Sequence, residues 1–332
     1  MLGGRINMKA IGYHKYGSPG VMRMEDIETP IPGDNEVLVK VRAVSINSWD
    51  WDMLTGRPFE YRLFSGIFKP KSTNIHGCDI AGQVEAVGNN VKQFHVGDEV
   101  FGDLSEGGWG AFAEYTCAPE TNLTFKPSRM TFEEAACLSH GGNLAVQGLI
   151  DFGQIKPGQK VLINGGCGST GTLAIQIAKL FEVEVTGVDR TEKLDMMKIL
   201  GADHVIDYTK EDFTKNGRQY DLVFDVKTNR SIFNYKRALY PNGTYVTVGG
   251  KTSRILQLVL LKQLFRKNKM HIVGYKANKD LNYLVELFEA GQIKLVIDKC
   301  YPFEETADAF RYFGEGSFKG KIVVTIEHDN ET

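Results

Sequence analysis

Residues 160–180, "KVLINGGCGSTGTLAIQIAKL", set a glycine-rich turn between an apolar run and an amphipathic one. Gly166, Gly168 and Gly171 fit G-x-G-x-x-G, and Asp189 closes the next apolar run. Strand, turn, helix and then an acid at the following strand end is the pattern of a dinucleotide site. Glycine lets the backbone come close to a pyrophosphate. The unpaired N–H groups that open the helix, at Ser169 and Thr170, point at the anion. Asp189 is expected at the adenosine ribose, where its carboxylate favours a free 2′-hydroxyl and repels a 2′-phosphate. Arg190 and Lys193 follow it and could neutralise that phosphate. Cys167 inside the turn reads either as a small residue that fits or as a thiol activated by the helix N-terminus and shielded by bound cofactor.

Such a turn needs a sheet and helices to hold it. Runs at Val161–Asn164, Val183–Asp189, His204–Asp207, Asp221–Val226 and Thr244–Val248 read as strands, with helices following Ser169, Thr191 and Asn229 and a turn near Glu211. This alternation predicts a doubly wound parallel sheet. In the helix after the turn, Leu173, Ala174, Ile177, Ala178 and Phe181 fall on the sheet side, while Thr172, Gln176 and Lys179 are expected to face out. Thr131, with Glu134 three residues on, predicts a capped helix start. Residues 1–130 differ in kind. Short β-branched runs such as "EVLVKVRAVSI" and "GQVEAVG", punctuated by Gly and Pro, predict a barrel or sandwich. Past His271 the pattern gives a strand, two helices ("DLNYLVELFEAG" and "YPFEETADAFRYF") and a last strand, "KIVVTI".

The chain's 332 residues suit two domains. A net charge of −2 gives no broad attraction for nucleic acid or an anionic membrane, and no run nears the ~18 apolar residues of a spanning helix. The opening "MLGGRIN" has no apolar core of a secretory signal, and Met8 starts a strand-like "MKAIGY". Five scattered cysteines without C-x-x-C fit free thiols in a reducing cytoplasm.

A string of ordered segments carries a wider likeness: "MKAIGYHKYGSPGVM", "VRAVSINSWDW", "GCDIAGQVEAVG", "VGDEVFG", "GGWGAFAEY", "LINGGCGSTGTLAIQIAK", "LGADHVIDY", "GTYVTVGG" and "EAGQIKLVIDKCYPFEETADAF". With these the chain resembles the zinc-independent quinone oxidoreductases of the medium-chain dehydrogenase/reductase superfamily. The resemblance implies a GroES-like β-barrel catalytic domain, residues 1–130 and 271–332, interrupted by a Rossmann domain, residues 131–270. It implies a nicotinamide in the cleft between them and NADPH-dependent reduction of quinones, enones or other reactive carbonyl compounds. Members bind the 2′-phosphate with a Lys and a Tyr that match Lys193 and Tyr208. Asp189 departs from a position where a small neutral residue is common. NADP(H) is therefore the expected cofactor and NAD(H) the alternative, with Gly249 of "GTYVTVGG" a further candidate contact.

Zinc-dependent relatives carry a catalytic zinc at positions that match Asn47, Cys78 and His140, with an acid at Asp79. Asn is a poor zinc ligand, and the closely spaced cysteines of a structural zinc lobe are absent. No metal is expected; a residual site of Cys78, His140 and Asp79 is the alternative. The substrate carbonyl would then be polarised by the Asn47 amide, with His140 a second candidate or else a hydrogen-bonded core histidine. Trp49, Trp51 and Tyr61 are candidates for an aromatic wall against a flat small-molecule substrate, or for packing. In related proteins the last strand of the cofactor sheet pairs across a two-fold axis. "MHIVGY" at residues 270–275 lies there, so a homodimer is expected unless "ILQLVLLKQLF" covers that edge. The rival readings are a zinc-type alcohol dehydrogenase and an NADPH-binding protein without turnover.

Overall fold

β-Branched and apolar residues set the strands of this chain, whose computed structural model describes residues 7–70, 75–261 and 268–328. The first stretch holds β1 (Asn7–Gly12), β2 (Arg23–Glu28), β3 (Glu36–Ser45), α1 (Ser48–Thr55), α2 (Tyr61–Ser65), β4 (Asp79–Val87), β5 (Glu99–Asp103), β6 (Tyr115–Pro119) and β7 (Thr124–Phe125). Then come α3 (Phe132–Val146), β8 (Lys160–Asn164), α4 (Ser169–Lys179), β9 (Glu184–Asp189), α5 (Leu194–Ile199), β10 (His204–Asp207) and β11 (Tyr220–Asp225). The chain continues through α6 (Ile232–Arg237), β12 (Leu239–Thr247), α7 (Thr252–Leu261), β13 (Lys269–Ile272) and α8 (Leu281–Glu289). It ends with β14 (Ile297–Pro302), α9 (Thr306–Glu315) and β15 (Lys321–Thr325).

Two compact units result: residues 1–140 with 297–332, and residues 141–296. The family resemblance implies boundaries at 130/131 and 270/271 instead. The difference has two causes. α3 runs unbroken through residue 140, and β13 is hydrogen-bonded to β12 as a strand of the parallel sheet.

In the first unit, seven strands run β14-β15-β3-β4-β5-β7 with β6 on β3, all antiparallel save β14–β15, and β1–β2 form a separate ribbon. Its core packs Val37, Val39, Val41, Ile80, Val100, Phe112, Phe310 and Ile322, all at most 1% exposed. The short helices α1 and α2 interrupt a region that sequence periodicity reads as strand. A local signal for α1 is present, because the Asn47 N–H donates to Asp50 Oδ2 at 2.8 Å, closing the helix start.

The second unit is a six-stranded parallel sheet, β10-β9-β8-β11-β12-β13. In chain order this is 3-2-1-4-5-6, the doubly wound dinucleotide-binding arrangement with its switch point beside β8. β8 reads Val-Leu-Ile-Asn after its first residue, and all four are buried, as a central strand covered on both faces requires. The Thr131–Glu134 cap is present: the Glu134 N–H donates to Thr131 Oγ1 at 3.1 Å and the Thr131 N–H to Glu134 Oε2 at 3.0 Å. One expectation about α4 is corrected. Thr172 and Gln176 do not face solvent, since Thr170 through Ala178 are buried. Gln176 exchanges two hydrogen bonds with the Lys294 backbone, at 3.0 and 2.8 Å. A segment 118 residues away covers the polar face. Among the described residues no helix is long and apolar enough to cross a membrane.

Candidate active site

The glycine turn leaves β8 at Asn164 and enters α4 at Ser169. Close packing explains Gly171: a Cβ there would sit 2.1 Å from Gly165 O, so only glycine lets the helix pack on the turn. At Gly168, which precedes the helix, a Cβ would meet nothing nearer than 3.7 Å. The backbone is open there, while the buried Ser169 hydroxyl has no partner among the described residues. An open glycine, an orphaned hydroxyl and the N–H groups of a helix start form a cradle for a phosphate anion. These residues fit the pyrophosphate of a dinucleotide.

Asp189 is 4% exposed and its carboxylate faces inward. Oδ2 accepts from the Cys167 N–H at 3.0 Å and Oδ1 from the Arg190 N–H at 2.9 Å. The expected ribose reader thus braces the turn. Lys193 lies close by and is 5% exposed. Its pKa is lowered, first by burial, with Lys227 and Arg190 adding repulsion against the pull of Asp189. Arg190 pairs with Glu192 at 3.3 Å. Tyr208 is exposed at the end of β10, and its N–H donates to Asp189 O at 3.1 Å. Gly249 (φ 130°) has open space where a Cβ would be. Cys167 is wholly buried, so its thiol fills the core under the turn and is not poised for reagents.

The first unit holds a buried polar cluster. β3 ends at Ser45, β4 begins at Asp79, β5 ends at Asp103, β15 begins at Lys321, and α3 brings His140. Lys321 donates to Ser45 Oγ (2.7 Å), Asn47 Oδ1 (2.6 Å) and Asp79 Oδ2 (2.8 Å). Burial, the largest single cause, lowers the Lys321 pKa, but the Asp79 carboxylate, together with Cys137 and Cys78, outweighs it and the net shift is upward. The Asn47 amide is committed: Nδ2 donates to Asp79 Oδ2 at 3.0 Å, to Cys78 Sγ at 3.3 Å and to Ser45 O at 3.4 Å.

His140 is fixed twice. Its N–H donates to Asp79 Oδ1 at 3.0 Å, and Nδ1 lies 2.8 Å from Asp103 Oδ2. Nothing local in the sequence marks Asp103; the fold alone pairs it with a residue 37 positions on. Cys78, Asp103 and His140 are the described residues that could hold a metal, their ligand atoms lying within 4.8 Å of one another. Asp79 is instead taken up by Lys321, Asn47 and Ser45. Burial, followed by the carboxylates of Asp103, Asp50 and Asp79, pushes the Cys78 thiol well up, which keeps it protonated.

The tryptophans part company. Residues two apart on a helix point to different faces. Trp49 stands edge-on to His140, ring centres 4.8 Å apart, and 6.0 Å from Trp109. Trp51 packs on Phe313 and lines a separate pocket of about 450 Å³ with Tyr16, Asp52, Arg57 and Arg62. The Tyr61 side chain lies outside the described residues, as do residues 262–265 of "ILQLVLLKQLF". All five cysteines are free thiols.

Comparison with known proteins adds to this geometry. Residues 33–128 match the alcohol dehydrogenase GroES-like domain and residues 200–324 the zinc-binding dehydrogenase domain. The chain is 31% identical to the chloroplastic quinone-oxidoreductase QR1 of Triphysaria versicolor, over 96% of this chain and 98% of that protein. It is 33% identical to the chloroplastic NADPH-dependent alkenal/one oxidoreductase of Arabidopsis thaliana, over 96% of this chain and 79% of that protein. Among solved structures, the quinone oxidoreductase from Coxiella burnetii superposes with a TM-score of 0.86 at 28% identity, covering 97% of this chain and 100% of the other.

Proposed function

This chain belongs to the quinone oxidoreductase family of the medium-chain dehydrogenase/reductase superfamily, and on that premise we propose that it is an NADPH-dependent reductase of quinones, enones or related conjugated carbonyl compounds. When bound, the reduced nicotinamide supplies a hydride; the protein supplies binding, orientation and exclusion of water. Gly166, Gly168, Ser169, Thr170 and Gly171 would hold the pyrophosphate, and Gly249 would lie along the cofactor. The observation that carries the reading is the open cradle at Gly168, with the partnerless Ser169 hydroxyl beside it. NADP(H) is favoured because the Asp189 carboxylate turns inward and does not stand against a 2′-phosphate, with Arg190, Lys193 and the exposed Tyr208 beside it.

The proposed reaction routes no step through a metal: where zinc-dependent relatives have a ligand, this chain has the Asn47 amide, whose N–H is bonded to Cys78 Sγ. With the Asn47 amide committed, His140 and Trp49 are the groups of the buried cluster proposed to meet the substrate. β13 has β12 as its only partner strand among the described residues, an edge that a homodimer would cover. The test is NADPH oxidation with a panel of quinones and enones, with zinc analysis of the same sample. Turnover without stoichiometric zinc is expected. Tight NADPH binding without turnover would leave only the binding protein, and one zinc per chain would favour the alcohol dehydrogenase.

A further inference from the structure

His76 is 8% exposed, and among the described residues its Nδ1 has no hydrogen-bond partner. Buried polar atoms are rarely left so, and each exception asks for an explanation. The other ring nitrogen is occupied: Nε2 bonds to the Tyr13 hydroxyl. Tyr13 is 3% exposed, and His76 is the one hydrogen-bond partner of its hydroxyl among the described residues. A buried phenol must donate its hydrogen somewhere, so Tyr13 donates to Nε2. The ring's own hydrogen therefore sits on Nδ1. The pair presents a buried N–H donor whose tautomer is set by the tyrosine.

A second, independent feature lies beside it. Trp109 has φ 66°, between Gly108 (φ 109°) and Gly110 (φ 101°). The left-handed region is an outlier for a residue of this bulk, and such strain collects at ligand sites. Held this way, the Trp109 ring stands T-shaped to His76, centres 5.9 Å apart, and 6.0 Å from Trp49. Trp49 and Trp109 are only half-buried. Two half-buried indoles thus stand next to an N–H with no hydrogen-bond partner among the described residues, in a unit whose Asn47 amide is spent elsewhere.

We propose that the Tyr13–His76 pair binds the acceptor's oxygen: His76 Nδ1–H donates to the carbonyl oxygen of a flat conjugated acceptor laid against Trp49 and Trp109. This deepens the reductase reading and rests on it. As hydride adds to the electron-poor carbon, the displaced π pair settles on that oxygen. His76 stabilises the growing charge by its hydrogen bond and keeps its own proton. One proton from water completes the product, while the cofactor is oxidised by two electrons. The competing account is that Nδ1–H merely points into the face of Trp109.

The test uses full-length protein with isotope-labelled histidine, saturated with NADP⁺ so that nothing is reduced, and menadione as probe. His76 is expected to show the Nδ1–H tautomer by NMR, with that signal moving when menadione binds. Tyr13→Phe should release the tautomer. It should lower kcat/KM for menadione and cyclohexenone roughly ten- to hundred-fold, with the KM for NADPH changed less than about two-fold. His76→Phe, which keeps a ring in place, should give the same loss. Wild-type turnover with an unmoved Nδ1 signal, or full activity in Tyr13→Phe, overturns the proposal and leaves the reductase reading intact. A moved signal without turnover keeps the oxygen donor and removes the reductase reading. Neither turnover nor movement overturns both.

Discussion

Replacing Lys321 by Met keeps length and removes one ammonium from the buried cluster. Lys321 is 3% exposed and Asp79 is 0% exposed, so the substitution strands a carboxylate that has no access to water. It also leaves Asn47 Oδ1 without its donor at 2.6 Å. Breaking a buried pair from one side costs about 3–5 kcal/mol, because the remaining charge is uncompensated. For a unit of this size each kcal/mol lowers Tm by roughly 2–4 °C, so the predicted fall is roughly 6–20 °C. The sign of the pH dependence follows from the raised Lys321 pKa. Its stabilisation is complete below the unfolded value and is lost only as pH rises through the still higher folded value. Adding Asp79→Asn removes the stranded charge but keeps an acceptor for only one of the His140 and Asn47 donors, and should recover about half of the loss. The assay is thermal unfolding followed by circular dichroism. A fall below about 2 °C for Lys321→Met alone would refute the reasoning, as would no recovery in the double variant.

Three further predictions follow from the two units. Lys193→Ala should weaken NADPH binding about ten- to hundred-fold and NADH binding less than about three-fold, while Asp189→Ala, which removes the acceptor of the buried Cys167 N–H and the part-buried Arg190 N–H, should weaken both alike; titration calorimetry separates them, and equal loss of both cofactors in Lys193→Ala would remove its assigned role. Asp50 is pushed up to about 7, chiefly by burial, so the folded chain holds that proton more tightly than the unfolded chain and loses stability as pH rises from about 4 to 7. Asp50→Asn should flatten that limb of the Tm–pH curve, and an unchanged slope would argue against it. Light scattering at micromolar concentration should give the mass of a dimer, and a monomeric mass would show that the β13 edge is left unpaired or is covered within one chain.

What could be read beforehand was what local spacing encodes. The glycine turn, the alternation around it and the Thr131–Glu134 cap depend on residues within one or two turns of each other, and the structure reproduces them. What could not be read depends on distant residues. Lys321 meets Asp79 across 242 positions, and Lys294 covers Gln176 across 118. Asp103 joins His140 only because the end of β5 meets the middle of α3. The inward turn of Asp189 was hidden for a related reason, since an acid at that strand end can brace the turn or read a ribose, and its rotamer decides. Trp49 and Trp51 look like one wall in the linear sequence, but helical geometry sends them to different faces. His76 carries no motif at all; the Tyr13 hydroxyl that fixes its tautomer lies 63 positions away.

The central claim is hydride transfer to a conjugated carbonyl compound, and isotope transfer tests it most directly. NADPH carrying deuterium at its transferable position would be incubated with the protein and either menadione or cyclohexenone, and the products analysed by mass spectrometry. The expected product is saturated cyclohexanone carrying one deuterium on the carbon β to the carbonyl, with stoichiometric oxidation of NADPH by either acceptor. Unchanged acceptors and intact NADPH, in a sample that binds the cofactor tightly, would contradict it.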